Sequence, residues 1–319
     1  MQRDLIGIAV LVLAGLVIAV SVEGYTLHRF TLAGVFAIAL CGLNLLTGLS
    51  GQLSLGHGAL YAVGAYTVAI GMRHAGLDPY LCVALAGVTA FGAGFLLGLP
   101  VVRFGHVELA LATWGFAVAL PQLLKSSLLA PWTGGVQGLY LDRPGAPSGL
   151  PLSDDQWWFA IVLAALCMAL LSVRNLRASR SGRALQALAD QPIAAQAMGI
   201  DLAGMRALAF GVSGAYAGVA GALGALLVDF VAPDGFTVWL SIEMLIGAVV
   251  GGVHSAWGAL LGGLLMKFLP DLVRGVPGAL AFAAYGLVLI GIVWLLPRGL
   301  ASLFGRRMRG TGVSWPPGP

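Results

Sequence analysis

Ten apolar runs, each close to twenty residues long, dominate this 319-residue sequence. A helix needs about 20 mostly apolar residues to cross the hydrocarbon core of a bilayer. Hydrophobic residues make up 59% of the chain and charged residues only 9%, whereas soluble domains carry about 25% charged residues. The sequence therefore predicts an all-α polytopic membrane protein. Its segments fall near residues 5–22, 27–48, 52–72, 80–101, 107–124, 157–174, 206–229, 236–252, 253–270 and 279–297.

Glycine and cysteine usage fits this class of protein. The chain has 47 glycines, and a row of them between residues 208 and 228 recurs at spacings of three or four, which predicts a helix face bare enough for close packing in lipid. The three cysteines lie inside apolar runs, where cysteine serves as a small hydrophobic residue. No His, Cys, Asp or Glu cluster has the spacing of a metal site or a nucleophilic site, which disfavours a membrane enzyme. We therefore predict no catalytic residue and no metal ligand.

One long charged stretch, Arg174 to Arg206, separates the apolar runs into two halves; we call it the hinge. Ser181 is predicted to cap a short helix over residues 183–189. Asp190 is predicted to cap a second one, with Pro192 in its first turn. Gly199 is predicted to end that second helix, because glycine adopts positive φ at little cost. The hinge should therefore present a short helix in water between two membrane-embedded halves.

A second unusual stretch, residues 44–66, carries polar residues and glycines inside an apolar background. Breaks and polar groups at membrane depth are tolerated mainly where they face protein or a water-filled path. We therefore expect a broken or re-entrant helix on a solute pathway, whose half-helix ends offer amide hydrogens to an anionic group and carbonyls to a cationic one. The candidate pathway residues in this stretch are Asn44, Ser54, Gly56, His57 and Tyr66. His57 alone is equally compatible with a packing role.

A third stretch, residues 232–263, repeats this layout of a polar entry followed by a glycine-broken apolar run. The similarity indicates an internal pseudo-repeat of two halves whose short segments meet near the midplane. Ser241 and Glu243 are its candidate pathway residues. A carboxylate inside an apolar run is costly unless it is protonated, hydrated or paired. A structural or gating role for Glu243 is favoured over direct contact with a solute.

The sequence resembles the LivM-type permeases of bacterial branched-chain amino acid importers, which belong to the ATP-binding-cassette class. The resemblance rests on the run from Asn44 to Tyr66, on the segment 241–258, on "PWTGGVQGL" at residues 131–139 and on "RALQALADQPIAAQAMGID" in the hinge. It covers nearly the whole chain. It implies that the hinge helix docks on an ATPase subunit through Asp190, Gln191, Pro192, Ala194, Ala195, Met198 and Gly199. It also implies that Trp132, Thr133, Gly134 and Gly135 lie on the side that meets a periplasmic binding protein.

Some positions depart from the family pattern or allow a simpler interpretation. Thr113 keeps the pattern and joins the pathway candidates, but Glu108 stands where an aromatic residue is expected, and His254 replaces a glycine. Glu108 could lie in the headgroup zone, line the pathway or pair with Arg103. Trp132 could equally be an anchor in the membrane interface. The hinge helix could be a solvated loop helix with no partner.

The distribution of arginine orients the chain. If the hinge is cytoplasmic, both termini are cytoplasmic as well, and most arginines lie on the inner side, as the positive-inside rule requires. We expect one permease domain, residues 1–305, with a cytoplasmic coupling loop near 175–205 and an outer loop near 125–156. The basic segment 306–319 is expected to be a disordered cytoplasmic tail.

The leading interpretation is a permease subunit of an importer in the bacterial inner membrane that moves a small polar solute. Branched-chain amino acids are the default, and a related amino acid, amide or carboxylate is the alternative. The chain has no GxxxxGK[ST] phosphate loop. ATP and Mg²⁺ are therefore expected on two separate ATP-binding subunits, and this chain should hold no cofactor. A second permease, LivH-type or a copy of this chain, and the binding protein complete the expected assembly. The rival interpretation is an ion-coupled secondary transporter or channel that uses Glu108 and Glu243.

Overall fold

The computed structural model describes residues 2–100, 106–147, 149, 151–272 and 278–303. Each of the ten predicted segments contains one long helix, which confirms the all-α polytopic fold. These helices are α1 (Gln2–Ser21), α2 (Tyr25–Ser50), α3 (His57–Ala75), α4 (Pro79–Gly98), α5 (His106–Lys125), α7 (Asp154–Ala178), α10 (Leu202–Val228), α11 (Val238–Gly251), α12 (Ala256–Leu272) and α13 (Gly278–Leu295). Three shorter helices are α6 (Ala130–Thr133), α8 (Arg180–Asp190) and α9 (Pro192–Ala197). Arg103 and the predicted tail 306–319 lie outside the described residues.

Two of the long helices form the centre of the bundle. Helices α2, α4, α7 and α10 are each long and apolar enough to cross a membrane. In the most apolar 18-residue stretch of each helix, the buried share is 78% in α2 and 72% in α10. The same share is only 28% in α4 and 33% in α7. Helix α10 packs against α2, α3 and α4, while α2 also packs against α7 and α12. The periphery is therefore left for lipid or for other subunits.

The contact between α3 and α10 is made by backbone against backbone. A Cβ atom at Gly64 would lie 2.0 Å from the carbonyl oxygen of Gly218. One at Gly221 would lie 1.9 Å from the carbonyl oxygen of Tyr61. This confirms the predicted bare face of α10, since only glycine allows helix axes to approach this closely.

At one end of the bundle, which we call the loop end, the connection after α5 is fastened to the connection after α10. Strand β1 (Leu139–Tyr140) pairs antiparallel with β2 (Phe230–Val231), with Leu139 opposite Val231. Arg143 reaches Asp155 at 3.3 Å and Asp229 at 3.7 Å. Lys125, at the end of α5, forms an ion pair with Asp234. These links hold a short 3₁₀ helix, Pro233–Phe236, against the top of α3 and α5.

The hinge lies at the opposite end of the bundle, the hinge end, and two of its predicted caps were wrong. Ser179, not Ser181, caps α8, and its Oγ accepts a hydrogen bond from the amide of Gly182. Asp190 is the last residue of α8 and does not cap α9. The non-helical position is Gln191, with φ −146° and ψ 81°, because the residue before a proline is driven out of the helical region. The predicted stop at Gly199 is confirmed by its φ of +84°.

Candidate functional site

The predicted break in the polar stretch is present at residues 51–56. Helix α2 ends at Ser50, Gly51 has φ +68°, and α3 begins at His57. The ring of His57 lies 2.6 Å from the Ser213 hydroxyl. Ser213 is eleven positions into α10, roughly 17 Å from its start at 1.5 Å per residue. Helix α3 therefore begins near the middle of the bundle, as expected for a broken helix.

A directed chain of hydrogen bonds fixes the ring of His57. Ser213 Oγ donates to the carbonyl of Gly42 at 2.7 Å, so it must accept from His57 Nε2 at 2.6 Å. On the other side of the ring, Nδ1 lies 3.1 Å from Ser54 Oγ, which itself accepts from the amide of Gly56. A neutral imidazole with its proton on Nε2 satisfies every contact. His57 thus joins α3, α10 and α2, and the packing role predicted as one alternative is present.

The first turn of α11 meets the first turn of α3. The amide of Gly58 donates to Ser241 Oγ at 2.9 Å, and Ser241 is buried. Helix α5 completes the meeting point, because the amide of Leu55 donates to Thr113 Oγ1 at 3.0 Å. We call this arrangement the midplane junction; it brings together the predicted residues Ser54, Gly56, His57, Thr113 and Ser241. Two helix N-termini meet there, and their dipoles favour an anionic group such as a carboxylate.

Aromatic rings cover the junction toward the loop end. The ring of Phe236 lies 6.1 Å from Tyr61 and 6.0 Å from Tyr66, centroid to centroid. Tyr66 was predicted as a pathway residue, whereas Tyr61 and Phe236 were missed. Both lie in apolar stretches, where nothing in the sequence distinguishes a pathway residue from one that only packs in the core. The hydroxyl of Tyr66 is buried and has no hydrogen-bond partner among the described residues.

Asn44, also predicted on the pathway, lies away from the junction. Its Nδ2 reaches the carbonyls of Gly252 at 3.4 Å and Ser255 at 3.2 Å. Both carbonyls belong to residues 252–255, the break between α11 and α12 that the glycine-broken run predicted. Asn44 therefore holds a second broken element near the hinge end. The similarity between the two halves stays a prediction.

The two carboxylates singled out from the sequence differ in their surroundings. Glu243 Oε1 lies 3.2 Å from Lys267 Nζ, and their side chains are 33% and 30% exposed. Lys267 also lies over the ring of Phe36, 4.4 Å from its centroid. Glu243 therefore has the structural ion pair that the sequence left as one option. Glu108 lies in the first turn of α5 and is exposed.

The hinge presents an apolar surface to solvent at the hinge end. Ile193 and Met198 are each 84% exposed, whereas Ala195 is buried. Beneath them, Leu185 and Leu188 of α8 are buried and anchor the hinge to the bundle. Of the other predicted coupling residues, Asp190, Gln191, Ala194 and Gly199 are exposed and Pro192 is half-buried. Ile193 lies in α9 and Met198 caps its end, and Ala195 is the buried residue of this helix.

At the loop end, the predicted segment 132–135 forms a compact turn. Trp132 is 55% exposed, and its carbonyl lies 3.1 Å from Nε2 of His74. Thr133 is buried and donates to the carbonyl of Leu124 at 2.7 Å. Gly134 and Gly135 both have positive φ. Nearby, burial raises the pKa of Asp229, with Arg143 acting in the opposite direction.

Replacing His57 with alanine should destabilise the chain by about 1–3 kcal/mol, because Ser213 and Ser54 each lose a buried partner. Thermal unfolding of the purified chain in detergent, followed by tryptophan fluorescence, measures the change. His254→Ala is the matched control, since the His254 side chain is exposed and only its carbonyl is used. Equal midpoints for wild type and His57→Ala would contradict the bonding chain.

Sequence comparisons relate the chain to known transport proteins. The model of the family described as "Branched-chain amino acid transport system / permease component" matches residues 25–296. The chain is 31% identical over 301 residues to the high-affinity branched-chain amino acid transport system permease protein LivM of Escherichia coli, covering 87% of this chain and 70% of that protein. LivM of Salmonella typhimurium is also 31% identical, over 86% of this chain and 69% of its own length.

A more distant relative carries a different name. The autoinducer 2 import system permease protein LsrC of Yersinia enterocolitica is 26% identical over 302 residues, 90% of this chain and 80% of LsrC. No solved structure matches the chain. Because the family model spans the chain from the start of α2 to the end of α13, this protein belongs to the family of branched-chain amino acid transport system permeases.

Proposed function

We propose that this chain imports branched-chain amino acids or closely related amino acids as one of the two membrane subunits of an ATP-binding-cassette importer. The observation that carries the proposal is the hinge, which lies between two long membrane helices. A short helix there and the residue that caps it expose an apolar pair, Ile193 and Met198. Exposed apolar side chains next to each other are typical of a docking site. Two ATP-binding subunits that use ATP and Mg²⁺ are its proposed partners.

The midplane junction supports an amino acid as the solute. Two helix N-termini provide a positive environment for a carboxylate near the centre of the bundle. The rings of Tyr61, Tyr66 and Phe236 supply an apolar boundary on one side. The names of LivM and LsrC show that relatives of this fold serve different solutes. Branched-chain amino acids are the proposed class because the LivM proteins are more similar to this chain than LsrC is.

The charge distribution supports the orientation of the chain. Arg174, Arg177, Arg180 and Arg183 lie at the hinge end, and positive residues are concentrated on the cytoplasmic side of membrane proteins. We place the hinge end in the cytoplasm, and with it both termini. The loop end then faces a periplasmic binding protein, with the exposed Trp132 on the docking side. A second permease subunit completes the pathway.

Changing Ile193 and Met198 together to aspartate should abolish association with the ATP-binding subunits. Both side chains are exposed in the single chain, so the fold should be retained while an apolar docking surface becomes charged. The test is co-purification of tagged permease with the ATP-binding subunits after joint expression. Leu128→Asp is the matched control, because Leu128 is 82% exposed at the loop end. Retention of the ATP-binding subunits by the double variant, or their absence from wild type, would overturn the proposal.

A further inference from the structure

The break between α11 and α12 is held by two side chains from other helices. Asn44 of α2 donates to the carbonyls of Gly252 and Ser255, as described above. Arg177, in the last turn of α7, donates from Nη1 to the carbonyl of His254 at 2.7 Å. Residues 252–255 are not helical and Gly252 has φ +113°, so these bonds replace helical ones. The position of the break therefore depends on Asn44 and Arg177.

Arg177 lies in the hinge, in the last turn of α7, and is packed closely against α8. It precedes by two positions the cap of α8, Ser179. A Cβ atom at Gly182 would lie 2.0 Å from the carbonyl oxygen of Leu176 and 2.9 Å from the Cα of Arg177. The end of α7 and the first turn of α8 are thus packed backbone against backbone. A rigid displacement of α8 must move Arg177 with it.

The hinge also contacts the other broken element. A Cβ atom at Gly51, the first residue of the 51–56 break, would lie 3.4 Å from the Cβ of Ala189 in α8. The end of α2 in turn meets the α11–α12 break, since a Cβ atom at Gly48 would lie 2.1 Å from the carbonyl oxygen of Val253. Both broken elements therefore reach the hinge, one through Gly51 and the other through Arg177. The 51–56 break ends at His57 in the midplane junction, and the α11–α12 break is connected to the junction by α11.

The polar atoms around the α11–α12 break have unused bonding capacity. Arg177 Nε and Asn44 Oδ1 are buried and lack a hydrogen-bond partner among the described residues. A guanidinium has five N–H donors, so Arg177 can bond a displaced carbonyl without leaving the break. This capacity suits an element with two arrangements.

We propose that Arg177 is the positioning residue through which the hinge sets the α11–α12 break and, through α11, the midplane junction. The inference rests on the proposed function, because it takes docked ATP-binding subunits as the source of hinge movement. Movement of α8 shifts the guanidinium, the carbonyl of His254 follows, and Ser241 in α11 moves relative to Gly58 in α3. Without Arg177, the subunits still dock and hydrolyse ATP, but their movement no longer reaches the junction.

The test compares Arg177→Ala, Arg177→Lys and Arg183→Ala in the assembled complex. Arg183 is the matched control, because its Nη1 donates to the carbonyl of Ala178 within the hinge and not to the break. Arg177→Ala should retain the ATP-binding subunits and ATP hydrolysis, while solute uptake per ATP falls about tenfold. Arg177→Lys should recover part of the uptake, since an ammonium can still donate to a carbonyl. Arg183→Ala should match wild type.

A second readout reports the break itself. Ser255→Cys places a thiol in the break, and the three native cysteines are buried. In the complex, its rate of maleimide labelling should change between ATP-bound and nucleotide-free states, and Arg177→Ala should remove that difference. Normal assembly with unchanged uptake per ATP and unchanged labelling in Arg177→Ala would overturn the role of Arg177 alone. Failure of wild type to assemble with ATP-binding subunits would overturn the proposed function and this role together.

Discussion

Replacing Gly64 with leucine is expected to destabilise the helical bundle more than any other single change considered. The new Cβ would lie 2.0 Å from the carbonyl oxygen of Gly218 and 2.5 Å from its Cα. These are backbone atoms of α10, so no side-chain rotation relieves the overlap, and Gly218 offers no side chain to shorten. Overpacking of this kind costs about 3 kcal/mol or more. Unfolding of the purified chain by sodium dodecyl sulfate, followed by circular dichroism, measures the loss.

Gly92→Leu is the matched control for this change. Gly92 also lies inside a long helix, α4, but a Cβ atom there meets nothing within 4 Å. The same leucine should leave stability unchanged or raise it, because leucine favours the helical state over glycine. If both variants unfold at the wild-type denaturant concentration, the close approach of α3 to α10 is wrong.

Gly58→Val should reduce solute uptake at least about tenfold while leaving subunit assembly intact. The added side chain would begin 2.7 Å from Ser241 Oγ and 3.1 Å from the amide nitrogen of Ser241. It would separate the first turns of α3 and α11 and displace the helix ends that the solute carboxylate is proposed to use. Uptake of radiolabelled leucine into proteoliposomes containing the complete complex measures the effect.

Two further variants separate crowding at the junction from loss of a hydrogen bond. Ser241→Ala removes the acceptor for the Gly58 amide but keeps the space, so uptake should fall less than in Gly58→Val. Gly58→Ala combined with Ser241→Ala should recover activity relative to Gly58→Ala alone, because the nearest obstructing atom is removed. Wild-type uptake by Gly58→Val would show that the junction does not lie on the solute path.

The membrane helices and the first break could be predicted because each has a local signal. An apolar run of about twenty residues has one stable conformation in lipid, since every backbone group must be bonded within the segment. The break at residues 51–56 could be predicted because polar residues and glycine disfavour a helix that faces lipid. These residues are Ser50, Gly51, Gln52 and Ser54. The end at Gly199 followed from the conformational freedom of glycine alone.

The partners across the bundle could not be predicted, because they are separated by long stretches of sequence. Asn44 was assigned to the pathway for its polarity, yet it bonds carbonyls more than two hundred positions away. Glu243 and Lys267 are 24 positions apart along the chain, with the break between them. Nothing local indicates that α11 and α12 turn these two side chains toward each other. In the sequence, Phe236 and Tyr61 are indistinguishable from other apolar residues. Their rings meet only because the 3₁₀ helix packs against α3.

The errors in the hinge had a local cause that favoured the wrong residue. Ser181 and Asp190 are good capping residues, but Ser179 lies at the point where α7 ends, and Pro192 forces Gln191 out of the helix. Ser179 and Ser181 are both possible caps for α8, and the end of α7 at Ala178 determines which of them is used. That position depends on packing of α7 and α8 against the rest of the bundle.

The most direct test of the proposed importer function is solute uptake by the complete complex in proteoliposomes, measured with and without ATP. Wild-type complex should accumulate a branched-chain amino acid only when ATP and the loaded binding protein are both present. The Ile193→Asp, Met198→Asp double variant should show neither uptake nor associated ATPase activity. Uptake driven by an ion gradient in the absence of ATP-binding subunits would contradict the account and favour a secondary transporter.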